Sequence, residues 1–177
     1  YLNFSNHLDF ILLIFSPSYR NHDMEKIDRL DHQILNVLQR NGRISFVDLA
    51  AEVGLSKTPC LNRVRRLEES GCIKNYTAQL DSRLLDLNYV VFVEVKLERT
   101  TQDVLSAFNA AITKIEEVQS CHMVSGGFDY LLKVRTRDME SYTTLMIEKL
   151  STLPSVVSTS TYPAMKEVID STNLVLR

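Results

Sequence analysis

The stretch from residue 45 to residue 71, SFVDLAAEVGLSKTPCLNRVRRLEESG, constrains the fold more than any other part of this chain. It has room for two short helices and one sharp turn. Ser45 is a suitable N-cap for the first helix, and Gly54 can end it because glycine accepts a left-handed backbone at low steric cost. Ser56 can cap the second helix, and Pro59 is tolerated in its first turn, where backbone N–H groups have no helical partner. The pattern predicts a helix-turn-helix.

The second predicted helix has two different faces. Leu61, Val64 and Leu67 recur at three- and four-residue spacing and are expected to face the core. The residues predicted to project outward are Thr58, Pro59, Asn62, Arg63 and Arg66. Such a helix can enter the major groove of DNA, with its N-terminal half at base edges and its guanidiniums on bases or phosphates. The alternative is a solvated helix face in an ordinary helical bundle.

Two flanking features favour the DNA-binding interpretation. Upstream, LDHQILNVLQR predicts a first amphipathic helix, and residues 73–80 (IKNYTAQL) are strand-like and predict a wing or a linker strand. The chain is nearly neutral, with 20 basic and 22 acidic residues, yet the stretch from Arg40 to Arg66 holds six basic and two acidic ones. Contact with phosphates requires such local positive charge. We therefore predict a winged helix-turn-helix domain over residues 24–76, followed by a linker over 77–88.

Residues 1–23 differ in character from the rest of the chain. Their apolar run, Phe10–Phe15, is far shorter than the roughly 20 residues that span a bilayer. The basic region and small-residue cleavage site of a secretory signal are not evident. We expect an N-terminal extension outside the fold, with Met24 as the start of the functional protein. A weak membrane or partner tether is the alternative.

The cysteines and the usual catalytic motifs point away from an enzyme. Cys60, Cys72 and Cys121 match neither a disulfide framework nor a zinc-binding spacing, which predicts reduced thiols in a cytoplasmic protein. No GxSxG elbow, HExxH or P-loop is present, and the neighbours Cys121, His122 and Ser125 divide between the two faces of a predicted strand. We expect no catalytic residue, no metal and no cofactor.

The second half of the chain alternates strand-like and helix-like stretches. The predicted strands are residues 89–97, 118–125, 130–137 and 156–162, and the predicted helices are residues 101–115 and 139–153. The order βαββαβ predicts an antiparallel four-stranded sheet with both helices on one face, a ferredoxin-like domain over residues 89–177. Because the other face of the sheet is left open, we expect dimerisation.

These two halves together resemble the Lrp/AsnC (feast/famine) family of bacterial and archaeal transcription regulators. The segments that carry the resemblance are LDHQILNVLQRNGRIS, VGLSKTPCLNRVRRLEESGCIKNYTAQL, VFVEVKL, CHMVSGGFDYLLKVRTRDM and TYPAMKEV. The resemblance runs from about Ile27 to the C-terminus. It implies an α+β protein with a winged helix-turn-helix domain and a C-terminal RAM-type domain. It further implies double-stranded DNA as partner, a cytoplasmic, nucleoid-associated location, and homodimers that often assemble into octamers.

The resemblance also implies two sets of site residues. The DNA contacts are implied within residues 42–71, on Ser56, Lys57, Thr58, Pro59, Asn62, Arg63 and Arg66. An amino-acid effector, leucine or another, is implied near the turn between the second and third strands, where neighbouring dimers meet. The effector residues so implied are Met123, Gly126, Gly127, Phe128, Asp129 and Met139.

The chemistry of that turn is suitable for an amino acid. Two adjacent glycines allow backbone N–H groups to approach a carboxylate, and Asp129 offers a charge opposite to that of an ammonium group. Met123 and Met139 offer pliable apolar surface. Taken from the residues alone, the alternative is a glycine turn whose aspartate caps the hairpin. For the whole chain, the alternative functions are an architectural, nucleoid-type DNA binder without an effector, and an assembly scaffold that does not bind DNA.

Overall fold

The computed structural model describes residues 27–176 and divides the chain into two compact units. The N-terminal unit comprises the described residues up to Ala78 together with residues 172–176, and the C-terminal unit comprises residues 79–171. The expectations for residues 1–23 and for a start at Met24 fall outside the described residues. No helix between residues 27 and 176 is both long and apolar enough to cross a membrane.

Three helices build the N-terminal unit: α1 (Arg29–Arg40), α2 (Phe46–Glu52) and α3 (Lys57–Glu69). Ser45 caps α2, because its hydroxyl accepts a hydrogen bond from the backbone N–H of Asp48 at 3.1 Å. Gly54 has a positive φ of 69° and ends the helix as predicted. The helices share one apolar core made of Ile34, Leu35, Val37, Leu49, Ala50, Val53, Cys60, Val64 and Leu67. The predicted helix-turn-helix is therefore confirmed.

The expected wing strand is not formed within the described chain, since no residue from 73 to 80 lies in a strand. A strand requires a neighbouring strand to satisfy its backbone groups, and the described residues of this unit supply none. The segment instead docks through Tyr76, whose hydroxyl donates to Glu68 Oε1 at 2.9 Å. The ring also approaches the turn that follows α1, because a Cβ built on Gly42 would lie only 3.2 Å from Tyr76 Cδ1.

The C-terminal tail (residues 172–176) packs with the helices of the N-terminal unit. The side-chain amide of Gln39 on α1 makes two hydrogen bonds to it. Gln39 Nε2 donates to Leu174 O at 3.1 Å, and Gln39 Oε1 accepts from Leu174 N at 2.6 Å. Leu176 packs against the apolar core of the three helices. The sequence pattern placed the whole of residues 89–177 in the second domain and did not anticipate this contact.

Replacement of Gln39 by alanine tests the tail contact. Both hydrogen bonds to Leu174 would be lost, and we expect docking of the tail to weaken by about 1 kcal/mol. Hydrogen exchange at the Leu174 amide should then be roughly fivefold faster. Gln33→Ala, a truncation of the same residue type at an exposed position of α1, is the control. Equal exchange in the two variants would contradict the role of Gln39.

The C-terminal unit has the predicted βαββαβ order. Its strands are β1 (Tyr89–Leu97), β2 (Val118–Met123), β3 (Tyr130–Thr136) and β4 (Val156–Pro163), and its helices are α4 (Gln102–Ile112), α5 (Met139–Glu148) and a short 3-10 turn at Leu150–Thr152. All pairs are antiparallel, in the spatial order β2-β3-β1-β4. Alternate residues of β1 and β3 are buried, and they form the core with Leu105, Phe108, Ile112, Tyr142 and Leu145.

The open face of the sheet carries charged side chains as well as apolar ones. Lys133 and Arg135 lie there, because they alternate along β3 with fully buried residues. Arg135 Nη2 lies 2.9 Å from Glu167, and Lys133 Nζ lies 2.7 Å from Asp170. These ion pairs hold the segment that follows β4 against part of this face. Phe92, 38% exposed, supplies apolar surface beside it.

Candidate functional site

The N-terminal half of α3 presents a polar surface to solvent. Cys60, Val64 and Leu67 are buried along its inner side, so the opposite side is turned outward. Five residues predicted to contact DNA are exposed there: Ser56, Lys57, Thr58, Pro59 and Asn62. Ser56 occupies the N-cap position that we predicted, although its side chain makes no capping hydrogen bond. A helix with an exposed polar side of this kind can enter the major groove of DNA and contact base edges.

The other two predicted contact residues, Arg63 and Arg66, do not simply project outward. Arg63 Nη1 lies 2.8 Å from Asp31 Oδ1, and Arg66 Nη2 lies 2.5 Å from Asp31 Oδ2. Both side chains are half-buried, and the Asp31 side chain is fully buried. The expectation of two outward guanidiniums is thus corrected, because a carboxylate on α1 draws both back against the unit.

Asp31 also belongs to the cap of α1. Asp31 N donates to Asp28 Oδ1 at 2.9 Å, and Asp28 N donates to Asp31 Oδ2 at 3.0 Å, which makes a capping box. The pKa of Asp28 is lowered from 3.8 to about 2, first by the backbone N–H of Asp31 and then by Arg63. Since the folded-state pKa is the lower one, this interaction stabilises the unit fully above pH 3.8, and the stabilisation is lost as the pH falls towards 2.

Arg65 is an exposed cation that we did not include among the predicted contacts. It follows Asn62 by three residues, and a three-residue spacing places two side chains on the same side of a helix. That spacing was available in the sequence and could have identified it. Arg65 joins Lys57 as a basic residue on the solvent-facing side of α3.

The turn between β2 and β3 is anchored by Asp129. Its side chain is buried, and Oδ2 accepts a hydrogen bond from Leu97 N at 2.8 Å. Oδ1 lies 3.3 Å from Lys96 Nζ. The pairing of β1 with β4 shifts register between these two residues, so the carboxylate serves a backbone donor at an irregular point of the sheet. These contacts are those of an aspartate that caps the hairpin, which is the alternative to an effector contact given for this residue above.

The structure brings together only part of the predicted effector set. Met123 ends β2 beside the turn, and Gly126, Gly127 and Phe128 form the turn itself. Met139 begins α5, beyond the far end of β3, and a seven-residue strand separates it from the turn by roughly 20 Å. Within one chain, Met139 therefore cannot share a site with the glycines.

A cleft of about 230 Å³ beside the turn is lined by two residues of the predicted effector set, Gly127 and Phe128, and by four residues outside that set. The lining residues are Glu94, Lys96, Gly127, Phe128, Ser158 and Ser160. Glu94 lies opposite Ser160 and Lys96 lies opposite Ser158 in the pairing of β1 with β4, which places a carboxylate, an ammonium and two hydroxyls together. Because side chains alternate between the two faces of a strand, the spacing of Glu94 and Lys96 along β1 could have indicated that they share a face. Only the register of β4 brings the serines to them.

Comparison with known proteins assigns a family to both units. Residues 27–74 match the model of the winged helix-turn-helix DNA-binding domain, and residues 90–174 match the model of the Lrp/AsnC ligand-binding domain. The chain is 54% identical over 151 residues to the leucine-responsive regulatory proteins of Salmonella typhimurium and Escherichia coli K12. In both cases the match covers 85% of this chain and 92% of the relative.

Solved structures agree with this assignment. A transcriptional regulator from Neisseria meningitidis in complex with L-methionine is 33% identical, with a TM-score of 0.79 over 85% of this chain and 97% of that one. An AsnC-family regulator from Agrobacterium tumefaciens is 32% identical, with a TM-score of 0.80 over 84% and 96% of the two chains. The helix-turn-helix with its exposed α3, the βαββαβ unit and these matches show that the chain belongs to the Lrp/AsnC family of DNA-binding transcriptional regulators.

Proposed function

We propose that this protein is a sequence-specific transcriptional regulator whose DNA binding is modulated by a free amino acid. It works in the cytoplasm on the nucleoid as a homodimer or a higher homo-oligomer, and it catalyses no reaction. The proposed reader is residues 24–76 and the proposed effector domain is residues 89–171, because residues 172–176 pack with the helices of the N-terminal unit. The observation that carries the proposal is the cleft beside the glycine turn, together with the exposed polar half of α3.

The charges of the cleft complement those of a free amino acid. An amino acid at neutral pH carries one ammonium and one carboxylate, and the cleft offers Glu94 for the former and Lys96 with two serine hydroxyls for the latter. At about 230 Å³ the cleft is smaller than the roughly 300–1,000 Å³ of pockets for drug-sized ligands. Leucine and methionine are the first ligands to test, since relatives are named for the one and solved with the other.

Oligomerisation would complete the effector site. Met139 lies too far from the turn to reach a ligand held there by the same chain, so a second protomer would have to supply it. The open sheet face, with Phe92 and Tyr162 exposed, offers one surface for such contact. An amino acid bound between protomers would then favour one assembly over another through its differential affinity.

Calorimetric titration of the full-length protein with a panel of amino acids tests the proposal, with sedimentation in parallel. Glu94→Gln removes the charge that faces the ammonium while keeping an acceptor for the Tyr162 hydroxyl, now 3.1 Å from Glu94. We expect it to weaken amino-acid binding at least tenfold, a change of about 1.4 kcal/mol. Glu98→Gln, which alters an exposed glutamate paired with Arg99, is the matched control.

The outcomes separate the two candidate functions. Saturable binding that Glu94→Gln weakens and Glu98→Gln does not would support the cleft as the effector site. Binding that is equal in both variants would place the effector elsewhere. If no amino acid binds and none alters sedimentation, an architectural, nucleoid-type DNA binder is the better description.

Asn62→Ala tests the reader helix. An asparagine can read adenine through two hydrogen bonds, so its loss should weaken binding to the preferred sequence by about 1 kcal/mol, roughly fivefold. Binding to an unrelated duplex should change much less, because phosphate contacts are retained. Fluorescence anisotropy on the two duplexes measures the ratio. A uniform loss on both would assign Asn62 to the DNA backbone instead.

A further inference from the structure

Two arginines of α3 converge on one buried carboxylate. Arg63 and Arg66 are three residues apart and lie on the same side of the helix, and each places a guanidinium nitrogen on a different oxygen of Asp31. Asp28 takes a further contact, at 2.7 Å from Arg63 Nη1. The contacts with Asp31 and Asp28 raise the pKa of Arg63. The result is a cluster of two cations and two anions, which we call the arginine cluster (Asp28, Asp31, Arg63, Arg66).

The net charge of this cluster is zero, although α3 contributes two positive charges to it. A DNA phosphate that recruited either guanidinium would have to compete with Asp31. Asp31 is fully buried. Withdrawing an arginine from it would leave the buried negative charge with too little positive charge beside it, which is strongly unfavourable. Exposed Lys57 and Arg65 face no such competition from a buried carboxylate in the described chain.

We propose that Asp31 is a specificity-determining residue of the DNA reader, which acts through Arg63 and Arg66 without touching DNA. It neutralises the two arginines and so limits the sequence-independent attraction of α3 to phosphates. Discrimination between sequences then rests on the exposed side chains of Thr58, Pro59 and Asn62. The inference concerns the DNA-binding activity of the family and does not depend on the effector proposal.

Asp31→Asn in the full-length chain tests this inference. Asparagine has the same shape and keeps one oxygen for an arginine, but it removes the charge. Affinity is measured as a function of salt on a duplex that the wild-type protein enriches from a random pool, and on a scrambled duplex of the same length. We expect the salt slope on the scrambled duplex to steepen by roughly one to two units, as one or two arginines become available to phosphates. The ratio of the two affinities should fall about tenfold.

Two further variants serve as controls. Glu69→Gln makes the same change of net charge at an exposed position of α3 outside the arginine cluster, and it should leave the slope nearly unchanged. In Asp31→Asn/Arg63→Gln/Arg66→Gln the slope should return to the wild-type value, since the arginines that produced the change are absent. Neither variant leaves a buried carboxylate without a partner.

Three results would overturn the inference: an unchanged slope in folded Asp31→Asn, the same steepening in Glu69→Gln, or a steepening that persists in the triple variant. Thermal unfolding establishes that each variant is folded under the assay conditions. If Asp31→Asn does not fold, Arg66→Gln decides the matter. Asp31 keeps Arg63 as its partner in this variant, and the slope should stay at the wild-type value because Arg66 does not contact phosphates. A slope that becomes shallower by about one unit would exclude the proposed role.

Discussion

Asp31→Ala should lower the free energy of unfolding of the N-terminal unit by about 3 kcal/mol. The substitution leaves two half-buried guanidiniums without the carboxylate that now lies 2.8 Å from Arg63 and 2.5 Å from Arg66. It also removes the acceptor for the backbone N–H of Asp28 and so breaks the capping box of α1. Hydrogen exchange at the buried amides of α1 and α3 measures the loss for this unit separately from the other.

Asp48→Ala is the matched control for that experiment. It removes an aspartate from the first turn of α2, where the carboxylate is exposed and accepts a hydrogen bond from the hydroxyl of the cap residue Ser45. We expect it to cost less than about 1 kcal/mol, because an exposed cap interaction is weak. If the two alanine variants were equally stable, the arginine cluster would not hold α1 to α3.

Asp129→Ala should lower the free energy of unfolding of the C-terminal unit by about 2 kcal/mol. The Asp129 side chain is buried and accepts the Leu97 N–H at 2.8 Å, so alanine would leave a buried backbone donor without an acceptor. The cost is therefore that of an unsatisfied group and exceeds the loss of the exposed contact to Lys96. Denaturant unfolding gives the magnitude, and hydrogen exchange at the Leu97 amide locates it.

Asp129→Asn separates the structural role of this residue from a role in ligand binding. Asparagine keeps an acceptor for Leu97 N–H but lacks the charge, so it should recover most of the stability. If Asp129→Ala were as stable as the wild type but no longer responded to an amino acid, the carboxylate would act on the effector as the family resemblance implies. A loss of stability that asparagine restores assigns it to the hairpin.

Elements with a strong local pattern were predictable from the sequence. The helices of the reader follow from apolar spacing, and Ser45 and Gly54 mark the limits of α2 through local backbone chemistry. The four strands and two helices of the second unit follow in the same way, and their order restricts the sheet to few topologies. The strand predicted at residues 73–80 is not formed. Strand propensity depends on the residue types, but a strand also needs a neighbouring strand to pair with.

The candidate sites were less predictable than the elements that carry them. A helical wheel gives the direction in which Arg66 leaves α3, but it contains no information about Asp31, which lies 35 residues away in the chain. The serines of the cleft reach Glu94 and Lys96 only through the register of β4 against β1. A one-residue shift of β4 would turn both serines to the other face of the sheet, away from Glu94 and Lys96.

The kinds of element, their order and the family could be read from the amino-acid sequence, because they depend on short-range periodicity, caps and motifs. Which charges are paired and which are exposed depends on how the chain folds. Burial and distance set the strength of an electrostatic interaction, and both are properties of chain segments far apart in sequence. Arg63 and Arg66, which the family resemblance implies as DNA contacts, lie against a buried aspartate. Asp129, implied as a ligand residue, accepts the Leu97 N–H, while Glu94 and Lys96 supply the charges of the proposed effector site.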